Sequence, residues 1–486
     1  YPLAQILHAK GYHITGSDNN ETDTLRAVRA MGIEVFMGQR AENIKGADLI
    51  IHTAAIMQDN PELIAAKASG VPVLERSDLL GIVTSWYKNA VCVSGTHGKT
   101  TVTSMITQIL KQGGMDITAY IGGKLPIIGG SGCVGTSDTM VCEACEFVDH
   151  FLKLSPDIAV VLNVDADHLD YFGTLDNVIA SFRKFCTLAG RVIANGDDAN
   201  TRKAIDGLDK EIITFGYSED NDWYAKNVNK VNGLLSEFDI YHNGELFTKA
   251  RLHIPGVHNV LNAVAAAAAA YMSGADAQMI AAGLDSFHGA KRRFEKYGEV
   301  GGITVCDDYG HHPAELEATL RAARDMGFRQ VWAVFQPFTF SRTALLLDDF
   351  IRVLSIPDNC IITAIMGSRE KNTYNIYDKD IGEKVKGAVW FGEQDHDKNF
   401  ELCAEYAAEH AQSGDLILTM GCGDVNKCAN LILEKLKKKY NSHTKGMFEN
   451  HRFSNRVLFL LAGKKIWLSP RFASQTTKLS RKEILL

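Results

Sequence analysis

Residues 89–112, NAVCVSGTHGKTTVTSMITQILKQ, decide the fold class of this chain. An apolar strand runs into a glycine turn and then into an amphipathic helix, the setting in which backbone N–H groups and a helix N-terminus face a phosphate. Val93 occupies the first glycine position of G-x-x-x-x-G-K-[ST], so the match is partial, and a glycine turn with a solvated lysine is the alternative. The segment predicts a nucleotide phosphate loop formed by Gly95, Thr96, His97, Gly98, Lys99, Thr100 and Thr101.

Lys99 and Thr100 carry the chemistry of this loop. The lysine adds a point charge for phosphate, and the threonine hydroxyl can serve Mg²⁺. We expect Lys99 on a solvent-facing loop, so that Lys99→Ala would stop turnover and leave the fold intact.

Strands and helices alternate along most of the chain, which predicts α/β architecture with parallel sheets. We expect a Rossmann-like first domain at 1–88, a central phosphate-loop domain at 89–297 and a Rossmann-like third domain at 298–440. A polar excursion from about 213 to 253 predicts a β-rich insertion. The segment 441–486 carries nine Lys or Arg against two Glu and reads as an appended or disordered basic tail.

Bulk composition narrows the function classes. The 486 residues carry a net charge of -7, which disfavours nucleic acid as a partner, and no apolar stretch reaches the roughly 20 residues needed to cross a bilayer. Ten cysteines without a regular framework indicate a reduced, cytoplasmic protein. Cys142 and Cys145 have metal-site spacing but no second pair, so we expect two buried thiols.

Acidic and imidazole side chains follow two predicted strands. Glu143 ends the strand TMVCEA, and His168 lies in N-V-D-A-D-H-L-D after the strand IAVVLNV. Because parallel strands place ligands at their carboxyl ends, both residues are expected within reach of one Mg²⁺ near Thr100. An exposed glutamate and a structural histidine are the alternatives.

The motifs together resemble the Mur ligases, a family of ATP-dependent amide ligases with three α/β domains. G-T-H-G-K-T-T, V-C-E-A-C-E and N-V-D-A-D-H-L-D are followed by P-G-V-H-N-V-L-N-A at 255–263, R-R-F at 292–294 and D-D-Y-G-H-H-P at 307–313. The order and spacing of these motifs over roughly residues 1–440 would rarely arise by chance.

The resemblance implies roles for particular residues. Catalytic roles fall to Lys99, His168 and Arg293, and metal binding to Thr100, Glu143 and His168, with ATP and Mg²⁺ as cofactors. Beyond the phosphate loop, ATP would meet His258, Asn259 and Asn262 at the adenine and Asp308 at the ribose, although helix capping explains Asn259 equally well. Substrate binding is implied for Tyr309, His311, Arg342 and Arg369. The neighbouring histidines at 311 and 312 could instead ligate a metal, but adjacent side chains seldom converge on one ion.

Within that family, D-D-Y-G-H-H-P is typical of ligases that join alanine to muramate. The resemblance therefore implies UDP-N-acetylmuramate and L-alanine as substrates and an acyl phosphate as the intermediate. A ligase that attaches a preformed peptide and a phosphate-loop protein that uses ATP only as a switch are the alternatives.

Three features depart from the family pattern. The opening strand and G-x-G-G loop are absent before Tyr1, Cys145 and Phe147 stand where relatives usually show Asp and Ser, and 441–486 has no counterpart. From the first departure we expect ATP to bind nearly as it does to an intact relative and the nucleotide sugar not to bind. We also expect an unpaired sheet edge and an exposed apolar face on the helix PLAQILHAKG that favours association.

Overall fold

The computed structural model describes residues 1–54, 56–232, 235–368, 370–450, 458–461 and 464–467. The first part of the chain alternates helices and short strands, as predicted. Two parallel pairs form, β1 with β2 and β3 with β4, and within the described residues no ladder joins the two pairs. The elements are α1 (Pro2–Ala9), β1 (Thr15–Asp18), α2 (Asp23–Ala30), β2 (Glu34–Met37), a 3-10 helix (Ala41–Ile44), β3 (Ile50–His52), α3 (Pro61–Ala68), β4 (Val73–Glu75) and α4 (Arg76–Thr84).

The central domain is built on a ten-stranded sheet with the order β14-β13-β12-β11-β10-β9-β5-β8-β6-β7. Its elements are β5 (Asn89–Ser94), α5 (Lys99–Gln112), β6 (Thr118–Leu125), a 3-10 helix (Pro126–Ile128), β7 (Gly130–Cys133), β8 (Thr139–Glu143), a 3-10 helix (Phe147–Lys153), β9 (Ile158–Val161), α6 (Leu169–Phe172), α7 (Leu175–Leu188), β10 (Arg191–Asn195), α8 (Ala199–Ile205), β11 (Glu211–Gly216), β12 (Trp223–Asn232), β13 (Leu235–His242), β14 (Glu245–Leu252), α9 (Val257–Met272) and α10 (Ala277–Asp285).

Strand β5 lies in the middle of this sheet, parallel to both β8 and β9. The phosphate loop therefore leaves the sheet where two neighbouring strands also end, which is where open α/β sheets collect ligands. The predicted β-rich excursion is the antiparallel meander β12–β14, which extends the sheet from β11 instead of forming a separate layer.

Helices α5 and α9 cover one face of the central sheet. The alanines at 263–270 of α9 are fully buried, together with Val102, Ile106 and Ile109 of α5. Short side chains let a helix approach its neighbours closely, and a helix that is apolar all round belongs in a core. This packing fixes the start of α5, and with it the phosphate loop.

Helices α1 and α4 pack on the opposite face of the central domain. Ile6 of α1 and Val83 of α4 are fully buried in one cluster with Cys92 and Phe151. The expectation of an exposed apolar face on α1 is therefore wrong, because this face finds an apolar partner against β6 and β7.

The third domain has a six-stranded sheet with the order β15-β16-β20-β17-β18-β19. Its elements are β15 (Glu295–Val300), β16 (Ile303–Asp308), α11 (Pro313–Arg324), β17 (Val331–Phe335), α12 (Phe340–Leu345), α13 (Leu347–Val353), β18 (Asn359–Ile362), α14 (Asp378–Gly382), β19 (Val389–Trp390), α15 (His396–His410), β20 (Leu416–Met420) and α16 (Asn426–Asn450). Only β15 and β16 pair antiparallel in this sheet. The α/β fold class with three domains is thus confirmed.

Two predicted domain boundaries fall inside continuous secondary-structure elements. The division at 297/298 falls inside β15, whose ladder partner is β16, so this strand belongs to the third sheet. Helix α16 runs past 440 to Asn450. Of the remaining tail, β21 (Leu458–Leu461) and β22 (Lys464–Trp467) form an antiparallel pair, and the rest lies outside the described residues. Among the described residues, no helix combines the length and apolar character needed to cross a lipid bilayer.

Candidate active site

The phosphate loop depends on two glycines with positive φ. Gly95 has φ 149° and Gly98, which precedes α5, has φ 89°. A Cβ on Gly95 would lie 2.8 Å from Leu162 Cβ, and one on Gly98 would lie 2.9 Å from Asn262 Oδ1. Both conformation and space therefore require glycine.

The segment after β9 holds the loop in place. The side chain of Asn163 accepts from His97 N at 2.8 Å and donates to His97 O at 3.0 Å. The hydroxyl of Thr96 accepts from Asp165 N at 2.8 Å. The loop is thus fixed from outside its own sequence.

Lys99 is an internal residue, which corrects the expectation of a solvent-facing side chain. Its Nζ donates to Gly95 O at 2.7 Å and Thr96 O at 3.0 Å, and lies 2.9 Å from each carboxylate oxygen of Glu146. The two side chains are only 16% and 2% exposed. Burial would lower the pKa of Lys99, but the charge and hydrogen bond of Glu146, together with the neighbouring Cys145 and Glu143, raise the pKa above its usual value.

Glu143 faces the phosphate loop from the end of β8. Its carboxylate accepts from Thr100 Oγ1 at 3.0 Å and from Gly122 N at 2.7 Å. A carboxylate beside a hydroxyl is an oxygen pair that suits Mg²⁺. No three His, Cys, Asp or Glu side chains in the described part of the chain come together as a metal site, so a magnesium ion here would need phosphate or water oxygens as well.

His168 lies on the same cavity wall as Thr100 and Glu143. Its ring packs on Phe147, with centroids 4.8 Å apart, and its Nε2 is 3.7 Å from Asp167 Oδ2. Burial raises the pKa of Asp167, but the charges of His168 and His312 bring it below its usual value. The metal and catalytic roles of His168 stay predictions.

A cavity of about 830 Å³ is lined by all five predicted catalytic and metal residues and by four residues predicted to bind ATP or substrate. They are Thr96, Gly98, Lys99, Thr100, Glu143, His168, Arg293, Tyr309 and His311. Six basic side chains line the cavity: Arg76, Lys99, Lys124, Lys291, Arg292 and Arg293. Basic groups exceed acidic ones by a single charge, because five acidic side chains line the cavity as well: Glu143, Glu146, Asp167, Glu295 and Glu315.

A second cavity of about 270 Å³ lies beyond the loop and shares Gly98, Arg293 and Glu315 with the first. It holds the predicted adenine and ribose residues, His258, Asn259, Asn262 and Asp308, together with His97 and Thr101. Helix α9 is capped by Gly256, so capping does not explain Asn259, whose Nδ2 donates to Pro255 O at 2.6 Å.

Asp308 and Arg293 lie at the junction between the central and third domains. Both oxygens of Asp308 accept backbone N–H groups, from Phe294 at 2.9 Å and Gly310 at 2.8 Å. Burial raises the pKa of Asp308, and the nearby charge of Arg293 opposes this. The Arg293 guanidinium carbon lies 5.4 Å from the centroid of the Tyr309 ring. The motifs R-R-F and D-D-Y-G-H-H-P therefore form one unit.

Glu315 extends this unit to the phosphate loop. It lies at the start of α11, accepts from His311 N at 3.1 Å, and its Oε1 is 3.7 Å from His97 Nδ1. The His97 and His312 rings approach to 5.9 Å. Burial would raise the pKa of Glu315, but His97 and the charges of His311 and Arg293 lower it well below its usual range.

Some predicted residues lie elsewhere. Gly95 supports the loop from beneath, against Leu162, and Arg342 of α12 lines neither cavity. Arg369 lies outside the described residues.

The two cysteines of the C-x-x-C pair differ in exposure. Cys142 is buried as expected, but Cys145 is exposed and lines the larger cavity, so the expectation of two buried thiols is wrong for Cys145. The chain turns after β8, and this turn brings Cys145 to the surface.

Sequence reasoning missed several residues of the site. Glu315, Arg76 and Arg292 received no role, although Glu315 has the spacing of a helix capping box. The pairing of Glu146 with Lys99 was not foreseen, although Glu146 follows Glu143 by three positions. Arg292 donates to Asp307 Oδ2 at 2.9 Å and to the carbonyls of Gly421 and Gly423 at 2.6 and 2.9 Å. It therefore anchors the interdomain segment to the third sheet.

Family models match each part of the chain. The description "Mur ligase family, catalytic domain" matches residues 1–88, "Mur ligase middle domain" matches 93–270, and "Mur ligase, glutamate ligase domain" matches 292–423.

Named relatives agree along most of the chain. It is 42% identical over 443 residues to the UDP-N-acetylmuramate–L-alanine ligase of Caldanaerobacter subterraneus subsp. tengcongensis, covering 90% of this chain and 95% of the relative. Identity to the Caldicellulosiruptor saccharolyticus ligase of the same name is 43%, covering 89% and 95%. The crystal structure of the UDP-N-acetylmuramate-alanine ligase from Thermotoga maritima matches with a TM-score of 0.74 and 25% identity, covering 91% of this chain and 96% of that one. With all three models matched and this identity along 90% of its length, the chain belongs to the Mur ligase family.

Proposed function

We propose that this chain is an ATP-dependent ligase that joins L-alanine to the carboxylate of UDP-N-acetylmuramate. The observation that carries the proposal is the identity of about two fifths with alanine ligases along nine tenths of the chain. The murein peptide ligase of Psychrobacter arcticus, at 23% identity and a TM-score of 0.67, shares the fold. The identity to alanine ligases and the string D-D-Y-G-H-H-P favour free alanine over a preformed peptide.

The two connected cavities suit ATP followed by an anionic acceptor. Adenine and ribose would occupy the smaller cavity, beside His258, Asn262 and Asp308. The phosphates would then lie on the loop at Gly98, where the N-terminus of α5 favours negative charge. Because Gly98 and Arg293 line both cavities, the terminal phosphate would reach the larger one.

The larger cavity is suited to carboxylate activation. A carboxylate at neutral pH is a poor electrophile, and phosphorylation converts one oxygen into a good leaving group. Lys99 and Arg293 would stabilise the negative charge that spreads over the transferring phosphoryl group. Mg²⁺, held by Glu143 and Thr100 with phosphate oxygens, would supply further charge neutralisation.

The second step, formation of the amide, needs an amine nucleophile and an active site from which water is excluded. Attack of the alanine amino group on the acyl phosphate forms the amide and releases phosphate. Water would compete for the same carbonyl, so the domains must enclose it. The contact of His97 with Glu315 joins the third domain to the phosphate loop, and the contact of Arg293 with Tyr309 packs the interdomain segment against the third domain; both support this closure. Tyr309, His311 and Arg342 stay candidates for binding the acceptor and the amino acid. ATP supply makes the cytoplasm the expected location.

Phosphate release tests the proposal. Release from ATP should require UDP-N-acetylmuramate and L-alanine together, and mass spectrometry should find the muramoyl-alanine product. Release without either substrate would indicate an ATP switch, and turnover only with a preformed peptide would indicate a recycling ligase.

Glu143→Gln tests the metal site. The variant should need a higher Mg²⁺ concentration for half-maximal rate, because an amide oxygen binds Mg²⁺ more weakly than a carboxylate. Glu299→Gln, on the third-domain strand β15 and paired with Lys296, is the control. An unchanged Mg²⁺ dependence in Glu143→Gln would refute the assignment.

A further inference from the structure

We propose that Glu146 is a built-in counter-ion that competes with nucleotide phosphate for Lys99 and thereby keeps nucleotide affinity low enough for ADP to leave. The inference rests on the proposed function, because it takes ATP and ADP as the ligands of the phosphate loop. It assigns a role to a buried carboxylate that the reaction itself does not use.

Every donor of the Lys99 ammonium is engaged in this structure. An ammonium group has three N–H bonds, and Nζ contacts Gly95 O, Thr96 O and the Glu146 carboxylate at 2.7, 3.0 and 2.9 Å. Lys99 therefore lies along its own loop. To donate to a phosphate, it must give up or share one of these contacts.

Glu146 is buried, and the backbone around it is firmly packed. Its side chain is 2% exposed. The backbone that follows is held by Phe151 N, which donates to Cys145 O at 2.9 Å, and the Phe151 ring stacks on Phe185 with centroids 4.7 Å apart. Val148 and Asp149 adopt positive φ values of 53° and 57°, which such packing must stabilise. This packing holds the backbone that carries Glu146 beside the phosphate loop.

A fixed negative charge at this place opposes phosphate binding in proportion to phosphate charge. A carboxylate in contact with Lys99 lies only a few ångströms beyond any phosphate that Lys99 binds. At that separation, in a partly dry site, one unit charge changes affinity on the order of tenfold. The same repulsion assists departure of ADP, the step that often limits turnover.

Nucleotides of different length test the proposal. Titration calorimetry with adenosine, ADP and a non-hydrolysable ATP analogue, each with Mg²⁺, would compare the wild type with Glu146→Gln. The variant should bind ADP about tenfold more tightly and release it more slowly in stopped flow, with adenosine affinity unchanged. Glu146→Asp, which keeps the charge, should retain weak binding.

Glu75→Gln is the matched control. Glu75 pairs with His150 at 3.0 Å near the wall that faces the first domain, and no contact joins it to Lys99. The same charge change at this position should leave ADP affinity at the wild-type value. An equal gain in both Gln variants would overturn the specific role of Glu146.

The result that overturns the proposal is unchanged or weaker ADP binding by Glu146→Gln, or an equal gain for adenosine. If Glu146→Gln does not fold, Lys99→Met and Lys99→Met/Glu146→Gln replace it. As the pH rises and the unpaired carboxyl group of Lys99→Met ionises, the double variant should bind ADP more tightly than the single one, and equal affinities at every pH would contradict the inference. A wild type that binds no nucleotide would instead refute the proposed function.

Discussion

Replacing Lys99 by methionine should destabilise the central domain as well as stop catalysis. The change keeps an unbranched side chain but leaves Glu146, 2% exposed, without its charge partner. Breaking a buried pair from one side costs about 3–5 kcal/mol. Protonation limits the loss, since protonating a carboxyl group of ordinary pKa at pH 7 costs about 4 kcal/mol. We expect a loss of about 3–4 kcal/mol at pH 7.

A double-mutant cycle separates the pair from its surroundings. Glu146→Gln alone should also destabilise, whereas Lys99→Met/Glu146→Gln removes both charges and should lie within about 1 kcal/mol of the wild type. The loss in Lys99→Met should shrink by about 1.4 kcal/mol for each pH unit below 7, because protonation of the orphaned carboxyl group becomes easier.

Urea-dependent amide hydrogen exchange of the α5 peptide, read by mass spectrometry, measures local opening of the central domain. Phosphate release should fall by about 10²–10³ in every variant that lacks Lys99, including the stable double variant. Stability of Lys99→Met within 1 kcal/mol of the wild type at pH 7 would show that the pair is not buried and coupled, and would refute the reasoning.

Three further predictions concern stability. Gly81→Ala should cost about 1–3 kcal/mol in urea unfolding, because its Cβ would lie 2.1 Å from the backbone oxygen of Lys153, whereas Gly16→Ala, with no atom within 4 Å, should be nearly neutral. Arg292→Met should lower the Tm of the third domain in calorimetry, because it orphans the fully buried Asp307; an unchanged Tm would contradict the anchoring role. Desolvation lowers the pKa of His258 to about 4, so the stability that its neutral ring contributes is present above about pH 6.5 and is lost as the pH falls toward 4. His258→Asn should flatten the dependence of Tm on pH in that window, by less than about 1 kcal/mol because the ring lines an open cavity, and a parallel pH profile would refute this.

The site was predictable where one short segment carries both the motif and its context. The strand, glycine turn and helix at 89–112 predict a phosphate loop, and the structure has β5, the turn and α5 there. Glu143 could be placed because a parallel strand ends at it, and it does face Thr100. His258 and Asn262 come from one segment and Asp308 from another, distant one, and the two segments were brought together only through the resemblance of their motifs to a family.

The environment of each residue was not predictable in the same way. Lys99 was expected in solvent, since the loop sequence carries no information on what packs over it, and Glu146 lies 47 positions away. The apolar face of α1 was expected to be exposed, since its partners in β6 and β7 lie more than a hundred positions along the chain. The position 297/298 lies inside β15, which is short and half polar, and only its ladder to β16 assigns this strand to the third sheet.

The sequence by itself determined the α/β class, the strand, glycine turn and helix at 89–112, and the family, because these depend on residue types at fixed spacings within single segments. Only the tertiary structure decided that Lys99 is paired with Glu146, that Glu315 reaches His97 across two domains, and that α1 is covered. The physical reason is that propensity, periodicity and glycine geometry act over a few residues. Burial and charge pairing depend instead on distances that packing alone sets.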